Sequence, residues 1–361
     1  MTERRRSTQL RLRDVLVGGD APISVQSMTK TDTRDVAATV EQIRALADAG
    51  CDIVRLAVPD LEAAEALRAI RNSVATPLVA DIHFDHRLAL ASIAAGVDGL
   101  RLNPGNISRR EHLELVVAHA RERLVPIRIG VNGGSLPRDY RREESLPERM
   151  VALALEQVKT LEELDFCLTK VSLKASDVGA TIEAYRLIAE RIPYPLHLGV
   201  TEAGPPMTGA IRNAIGIGVL LESGIGDTIR VSLSGDPLLE VAAGREILDS
   251  LGLVAPGPRI VSCPTCGRTT LDVPGLAIRV NELLASVREP LRVAVMGCVV
   301  NGPGECSHAD VGIAGGDGKV LVYVAGEFVR SVPVDNAFEC LAGEIHALLE
   351  RRARERDRNT R

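Results

Sequence analysis

Eight times between residues 20 and 250, a short apolar, β-branched run gives way to a turn and then to a stretch with helical spacing. The runs are 23–28 (ISVQSM), 53–58 (IVRLAV), 77–82 (PLVADI), 99–104 (GLRLNP), 126–131 (PIRIGV), 168–173 (LTKVSL), 195–200 (PLHLGV) and 228–233 (TIRVSL). Segments such as 35–50 and 61–74 between them repeat apolar residues three and four apart, the spacing of an amphipathic helix. Strands joined through helices pair in parallel, because the helix returns the chain to its starting edge. Eight such units in about 230 residues is the arithmetic of an α/β fold of the (β/α)8 TIM-barrel type. A doubly wound open sheet is the alternative. It normally has fewer strands and a glycine-rich phosphate loop after the first of them, which GGDAP at 18–22 does not supply.

The pattern stops at 252–259 (GLVAPGPR), where Pro and Gly displace helical spacing. We therefore expect a substrate-binding barrel over 1–252, a linker over 253–258 and a small α+β module over 259–350. Within that module strands are expected in RIVSC, LRVAVMGC and KVLVYVAG, and helices over 275–287 and 337–350. The charged tail 351–361 is expected to fray.

The charges nearly cancel, 43 basic against 48 acidic, and aromatic residues make up 2% with no Trp. Neither a global field nor a stacking platform for nucleic acid is present. No apolar run approaches the roughly 20 residues that span a bilayer. The basic start MTERRRSTQLRLR lacks the apolar stretch of a signal peptide, so the cytoplasm is the expected location.

Barrel chemistry sits at the carboxyl ends of the strands. The polar residues at or just past those ends are Gln26 and Ser27, Arg55, Asp81 and His83, Arg101 and Asn103, Arg128 and Asn132, Lys174, His197, Thr201 and Glu202, and Arg230 and Ser232. Five strands thus each supply a cation: Arg55, Arg101, Arg128, Lys174 and Arg230. Buried charge is costly unless it is paired, so five convergent cations predict a polyanionic ligand such as a phosphate or diphosphate. Acids are few there, with Asp81 and Glu202 the main ones. A carboxylate among cations is a candidate proton carrier or substrate anchor. His83 and His197 rank below Glu202, since a lone histidine near a strand end is as often a satisfied structural residue.

The seven cysteines are odd in number and follow no export signal, which argues against a disulfide framework. Four fall between 263 and 306. Cys263 and Cys266 form a Cys-x-x-Cys turn, and Cys298 ends a predicted strand before a Gly/Pro loop. A fourth ligand is either Cys306 or its neighbour Glu305. Such a set builds an iron–sulfur cluster or a structural zinc site. Cys51, Cys167 and Cys340 lack such company and are expected to be small core residues.

Nine segments, VQSMT (25–29), IVRLAVP (53–59), ADIHFD (80–85), RLNPGN (101–106), KVSLKASD (170–177), GVTEAG (199–204), GDTIRVSL (226–233), CPTCGR (263–268) and GCVVNGPGE (297–305), resemble the 4-hydroxy-3-methylbut-2-enyl diphosphate synthase family of the non-mevalonate isoprenoid pathway. The resemblance runs in order from about residue 8 to 350. It implies a two-electron reductive ring opening and dehydration of 2-C-methyl-D-erythritol 2,4-cyclodiphosphate through a [4Fe–4S] cluster. The cluster ligands it implies are Cys263, Cys266, Cys298 and Glu305, although this chain has a Cys at 306 where the family commonly has another residue. A carboxylate ligand is weaker than a thiolate and can yield its iron to a substrate oxygen. The resemblance also assigns diphosphate binding to the five cations, substrate contacts to Asn132 and Ser232, and a catalytic role to Glu202. Asp81 and His83 are placed with that substrate-binding rim. A homodimer with a site shared between subunits, and flavodoxin or ferredoxin as electron donor, are implied in the same way. The competing reading is a zinc-stapled or metal-free TIM-barrel enzyme acting on a phosphosugar, with Lys174 as Schiff-base former.

Overall fold

The computed structural model describes residues 2–107, 109–285, 287 and 289–359. Its barrel strands are β3 (Ser24–Met28), β4 (Ile53–Ala57), β5 (Leu78–Asp81), β6 (Gly99–Arg101), β7 (Ile127–Asn132), β8 (Thr169–Lys174), β9 (His197–Leu198) and β10 (Thr228–Ile229). Each overlaps one of the eight runs expected from the sequence. They form one parallel sheet in the order β8-β7-β6-β5-β4-β3-β10-β9, and a parallel bridge from Val171 to Leu196 brings its two ends together. Helices α1 (Val36–Asp48), α2 (Leu61–Ser73), α3 (His86–Ala95), α4 (Arg110–Glu122), α5 (Leu146–Glu162), α6 (Val178–Ala189), α7 (Pro206–Glu222) and α8 (Pro237–Ser250) alternate with the strands.

Several helices start on a side-chain cap placed just after a strand. Asp35, Asp60, Asp85, Asp177 and Asp236 each accept from a backbone N–H of the first turn, and Ser145 forms a capping box with Glu148. A cap satisfies donors that the helix cannot, so it also fixes where a rim loop ends.

Two further strands, β1 (Leu10–Leu12) and β2 (Val15–Val17), form an antiparallel hairpin before the barrel. At three residues each they are too short to show a period in sequence. Leu12 and Val17 pack on Ile53 and Val79, which lie toward the starts of β4 and β5. The hairpin therefore plugs the amino end of the barrel with apolar side chains.

Along the strands the apolar residues alternate outward. Val54, Leu56, Leu78, Ala80, Ile127 and Ile129 are fully buried and pack in one core with Ile43, Leu67, Ile70 and Val116 of the helices. The intervening positions, among them Arg55, Asp81, Arg101, Arg128, Lys170, Ser172 and Lys174, face the axis because side chains alternate along a strand. A packed TIM interior usually carries Val, Ile and Leu; here its upper layers are polar.

The chain divides between Val254 and Ala255. Leu253 and Val254 pack with the barrel core, and the next strand starts at Pro258. The second unit holds β11 (Pro258–Ser262), α9 (Val273–Leu284), β12 (Leu291–Met296), α10 (Gly302–Cys306), β13 (Val311–Gly315), β14 (Lys319–Val324), β15 (Glu327–Pro333) and α11 (Ala337–Asn359). Its sheet keeps chain order, with β11, β12 and β13 parallel and β14 and β15 antiparallel. Leu276 and Val280 of α9 and Leu341 and Ile345 of α11 cover Val293, Val295, Val311 and Ile313.

Most of the charged tail is helical: α11 continues to Asn359, and residues 360–361 of the expected tail lie outside the described residues. Its arginines find acids, Arg352 with Asp310 at 2.6 Å, Arg354 with Glu350 at 2.9 Å and Arg356 with Glu289 at 2.8 Å. Cys167 is exposed rather than a core residue, whereas Cys51 is buried as expected. No described helix is long and apolar enough to cross a membrane.

Candidate active site

At the carboxyl end of the barrel, β4 to β8 and the segment after β10 bring all five predicted cations to one place. Asp81 lies among them, with its carboxylate 3.7 Å from Arg55 Nε and 3.4 Å from Arg101 Nη1. Burial alone would push this carboxyl up; Arg55, a hydrogen bond with His83, and Arg101 and Arg128 together hold it well below the usual carboxylate range. Arg55 also donates to Met28 Sδ at 3.0 and 3.2 Å.

Arg101 and Arg128 meet over Gly130. A Cβ there would lie 3.0 Å from both Arg101 Nε and Arg128 Nη1. Only a glycine lets two guanidinium groups flank the strand so closely. Asn103 braces the same residue, donating to its carbonyl at 2.9 Å and accepting from its N–H at 2.8 Å. Arg128 donates to Ser172 Oγ. Gly199 serves Lys174 in the same manner: a Cβ would meet Lys174 Nζ at 2.8 Å and the Arg230 carbonyl at 2.3 Å.

Burial, then the neighbouring Arg230, Arg128 and Arg55, push the Lys174 ammonium well down. Burial, then Arg55 and Arg101, do the same to Arg128. Arg230 falls to about 10, again through burial and Arg55. The cations are thus strained by one another and short of counter-charge.

A second buried acid, not anticipated from the sequence, partly relieves them. Glu240 of α8 is 2% exposed, accepts from Ser27 Oγ at 3.0 Å and Leu233 N at 3.1 Å, and lies 3.7 Å from Arg230 and 3.8 Å from Lys30. The signal was present: Glu240 falls in the buried stripe Pro237, Glu240, Val241, Gly244, Ile247 and Leu248. A carboxylate on an apolar helix face asks for a buried partner. Five cations therefore face two carboxylates, Asp81 and Glu240.

The other predicted rim residues are placed less centrally. Asn132 ends β7 and Ser232 follows β10, both half-buried, and His83 is exposed beside Arg101, whose Nη1 donates to its Nδ1 at 3.2 Å. Glu202 is exposed just beyond β9, with a backbone φ of 52°. It stands apart from the charges paired around Asp81 and Glu240. His197 is not a satisfied core histidine, since it is 1% exposed and neither ring nitrogen has a partner.

A cavity of about 470 Å³ lies at the other end of the barrel, lined by residues that include Arg11, Arg13, Asp98 and Arg123. These precede the strands rather than follow them, the end of such barrels that serves stability.

In the second unit, Cys263 and Cys298 follow the adjacent parallel strands β11 and β12 at their carboxyl ends. Cys263 N donates to Val295 O at 3.0 Å, and Thr270 N to Gly297 O at 2.9 Å, so the Cys-x-x-Cys loop is braced on the segment that carries Cys298. Cys266 is exposed and the other two are half-buried. Backbone N–H groups of Val300 and Asn301, and the Arg268 side chain, lower the Cys298 thiol. Cys306 is fully buried among Ala294, Met296, Ala309, Ala314 and Tyr323, and burial pushes its thiol up to about 12. Glu305 lies 3.5 Å from Arg292, near the start of β12. Among the described residues no three Cys, His, Asp or Glu side chains converge into a metal-holding group. Three accessible thiols braced at one sheet edge nonetheless fit, in donor chemistry, a thiolate-bound metal group.

Residues 7–245 match the family model of the GcpE TIM-barrel domain, and residues 259–347 that of the GcpE protein C-terminal domain. A 4-hydroxy-3-methylbut-2-en-1-yl diphosphate synthase (flavodoxin) of Dehalococcoides mccartyi strain CBDB1 is 58% identical over 348 residues, covering 96% of this chain and 100% of its own. The Geobacter sulfurreducens protein of that name is 56% identical, covering 95% and 98%. Among solved structures, a dihydropteroate synthase from Stenotrophomonas maltophilia superposes on 68% of this chain and 97% of its own, with a TM-score of 0.53 at 15% identity, a likeness of barrel fold alone. With both of its units matched in order and relatives above half identity along nearly its whole length, the chain belongs to the GcpE family of 4-hydroxy-3-methylbut-2-en-1-yl diphosphate synthases.

Proposed function

We propose that the chain reduces 2-C-methyl-D-erythritol 2,4-cyclodiphosphate to 4-hydroxy-3-methylbut-2-enyl diphosphate. The observation that carries this reading is the charge imbalance at the barrel mouth: Arg55, Arg101, Arg128, Lys174 and Arg230 against Asp81 and Glu240. A diphosphate supplies the missing negative charge, and guanidinium groups bind its oxygens bidentately. Ring opening breaks one carbon–oxygen bond to the diphosphate and expels one hydroxyl as water. Two electrons and two protons enter for each water that leaves.

The chain's own residues bind, orient and protonate. The five cations hold the diphosphate, and Asn132 and Ser232 contact the carbon skeleton beside it. Asp81 keeps Arg55 and Arg101 aimed, with His83 alongside. Glu202, exposed just beyond β9, is the group we assign to carry a proton to the departing hydroxyl. Cys263, Cys266, Cys298 and Glu305 are the ligands we assign to a [4Fe–4S] cluster, a choice of Glu305 over Cys306 that the burial of Cys306 supports. Such a cluster supplies electrons one at a time and a Lewis-acidic iron. Glu305 is the ligand suited to release, because a carboxylate holds iron less firmly than a thiolate.

Flavodoxin, present in the names of the relatives, is the donor we assign, with ferredoxin the alternative. We place the enzyme in the cytoplasm. A homodimer, in which the cluster unit of one copy serves the barrel of the other, is supported by the surface of α7. Met207, Ile211, Ile215 and Val219 stand four residues apart on it and are all exposed, an apolar stripe suited to a second copy.

Anaerobic purification with iron and sulfide analysis, followed by assay with the cyclic diphosphate and dithionite-reduced methyl viologen, tests the reading. About four irons per chain and product formation are expected. A colourless, zinc-loaded, folded protein without turnover would leave the phosphosugar reading in its place.

A further inference from the structure

Below Lys174, one of those five cations, the barrel axis carries two further buried titratable side chains, Lys170 and His197. Lys170 and Lys174 face inward from β8 with Ser172 between them, and His197 reaches in from β9. All three are buried, at 3%, 7% and 1% exposure. Lys170 Nζ donates one hydrogen bond, to Thr228 Oγ1 at 3.4 Å, and both His197 nitrogens and Gln26 Oε1 have no hydrogen-bond partner. Gln26, Arg128 and Lys170 line a cavity of about 10 Å³, room for one water molecule.

The charges facing this column from each neighbouring element are unequal. Arg128 of β7 opposes a positive charge on Lys170, and Lys174, Arg128 and Arg55 of β4 oppose one on His197. Asp227, before β10, favours one, but its oxygens are already held by Arg4 at 2.9 Å, Ser7 at 2.9 Å and Leu196 N at 2.7 Å. Glu240 is engaged with Arg230 and Lys30. Burial, then Arg128, push the Lys170 ammonium down to about 7, and burial, then Lys174 and Arg128, push His197 well below its ordinary value.

We infer that Lys170, backed by His197, is a proton store behind the diphosphate site, filled when the anionic substrate binds. The inference rests on the function proposed above. A cyclic diphosphate brings two negative charges to Arg128, the cation that adds to burial in holding the Lys170 ammonium down. That repulsion is cancelled, and Lys170 Nζ takes up a proton from solvent. Lys170 does not touch the substrate; it positions a charge, and a proton, one layer below it.

The test is calorimetry of the anaerobic, cluster-loaded enzyme with 2-C-methyl-D-erythritol 2,4-cyclodiphosphate at pH 8, in buffers of differing ionisation enthalpy. Each phosphorus of this ligand carries one strongly acidic group, so the ligand does not titrate there. We expect uptake of about one proton per site, and a Kd that rises up to about tenfold per pH unit between pH 7 and 9. Lys170→Met and Lys170→Arg should both bind with no uptake and a flat Kd, the second because guanidinium keeps its proton. Binding by the wild type without buffer-dependent heat, or undiminished uptake in both variants, overturns the proton store. Absence of any binding overturns the functional reading with it.

Discussion

Glu305 and Cys306 are neighbours in the chain and face opposite ways. The Glu305 carboxylate lies on the surface, 3.5 Å from Arg292, while the Cys306 thiol is sealed beneath α10 against Ala294 and Gly312. A Cβ on Gly312 would come within 2.8 Å of Cys306 Sγ, so that thiol fills the space a larger β13 residue would need. Reaching a ligand at the sheet edge would require α10 to unpack, whereas Glu305 has only to leave a solvent-exposed ion pair of little worth.

Cys306→Ala should therefore keep its iron and its turnover, with a stability loss of about 1 kcal/mol from the vacated volume. Glu305→Ala should lose cluster iron on gel filtration with stability little changed. Iron analysis and urea denaturation of both variants check this; loss of iron from the Cys306 variant alone would reverse the assignment.

Gly130→Ala is expected to act on the substrate without acting on the fold. The added methyl presses on Arg101 Nε and Arg128 Nη1 at 3.0 Å. Side-chain ends can give by a few tenths of an ångström, so the barrel should survive. The two guanidinium groups then no longer match one diphosphate. KM should rise about tenfold, roughly 1.4 kcal/mol of lost binding, with Tm within a few degrees of wild type. A large fall in Tm with KM unchanged would show Gly130 to be a packing residue instead.

The alternation of residue types made the barrel legible. Val54 and Leu56 flank Arg55, and Ile127 and Ile129 flank Arg128, so each strand announces an apolar outer face and an inner face that cannot be apolar. Strand count and rim cations follow from that. Three features were hidden for physical reasons. The β1–β2 hairpin is too short for a period to show. The Glu240 partnership joins residues far apart in sequence, and Glu240 to Ser27 spans 213 positions. The burial of Cys306 depends on the direction of a five-residue helix, which no local pattern sets.

Glu240→Ala removes the counter-charge of Arg230 and the acceptor for Ser27 Oγ and Leu233 N. Breaking a buried pair from one side usually costs about 3–5 kcal/mol. Arg230 keeps 17% of its side chain exposed, so the lower end of that range is expected. Substrate should then stabilise the variant more than the wild type, because the diphosphate replaces the lost carboxylate. Thermal denaturation with and without the cyclic diphosphate measures both effects, and equal ligand-induced shifts would count against a shared role.

Lys170 should make the enzyme more stable as the pH rises from 7 toward 9, a direction opposite to that of a paired lysine. In the unfolded chain a lysine holds its proton to about pH 10.4. Folded, Lys170 releases it near 7, through burial and Arg128. Between these values the unfolded chain binds more protons, so unfolding becomes harder with each proton withdrawn, by up to about 1.4 kcal/mol per pH unit. The penalty is complete below pH 7, a few kcal/mol in all, and gone above the unfolded value. Lys170→Met keeps the length of the side chain and removes the charge, so it should flatten this slope and raise stability most near pH 7. Urea denaturation of both proteins at pH 7, 8 and 9 decides it. Parallel curves would mean that Lys170 remains charged in the folded barrel, with the water-sized cavity solvating its ammonium.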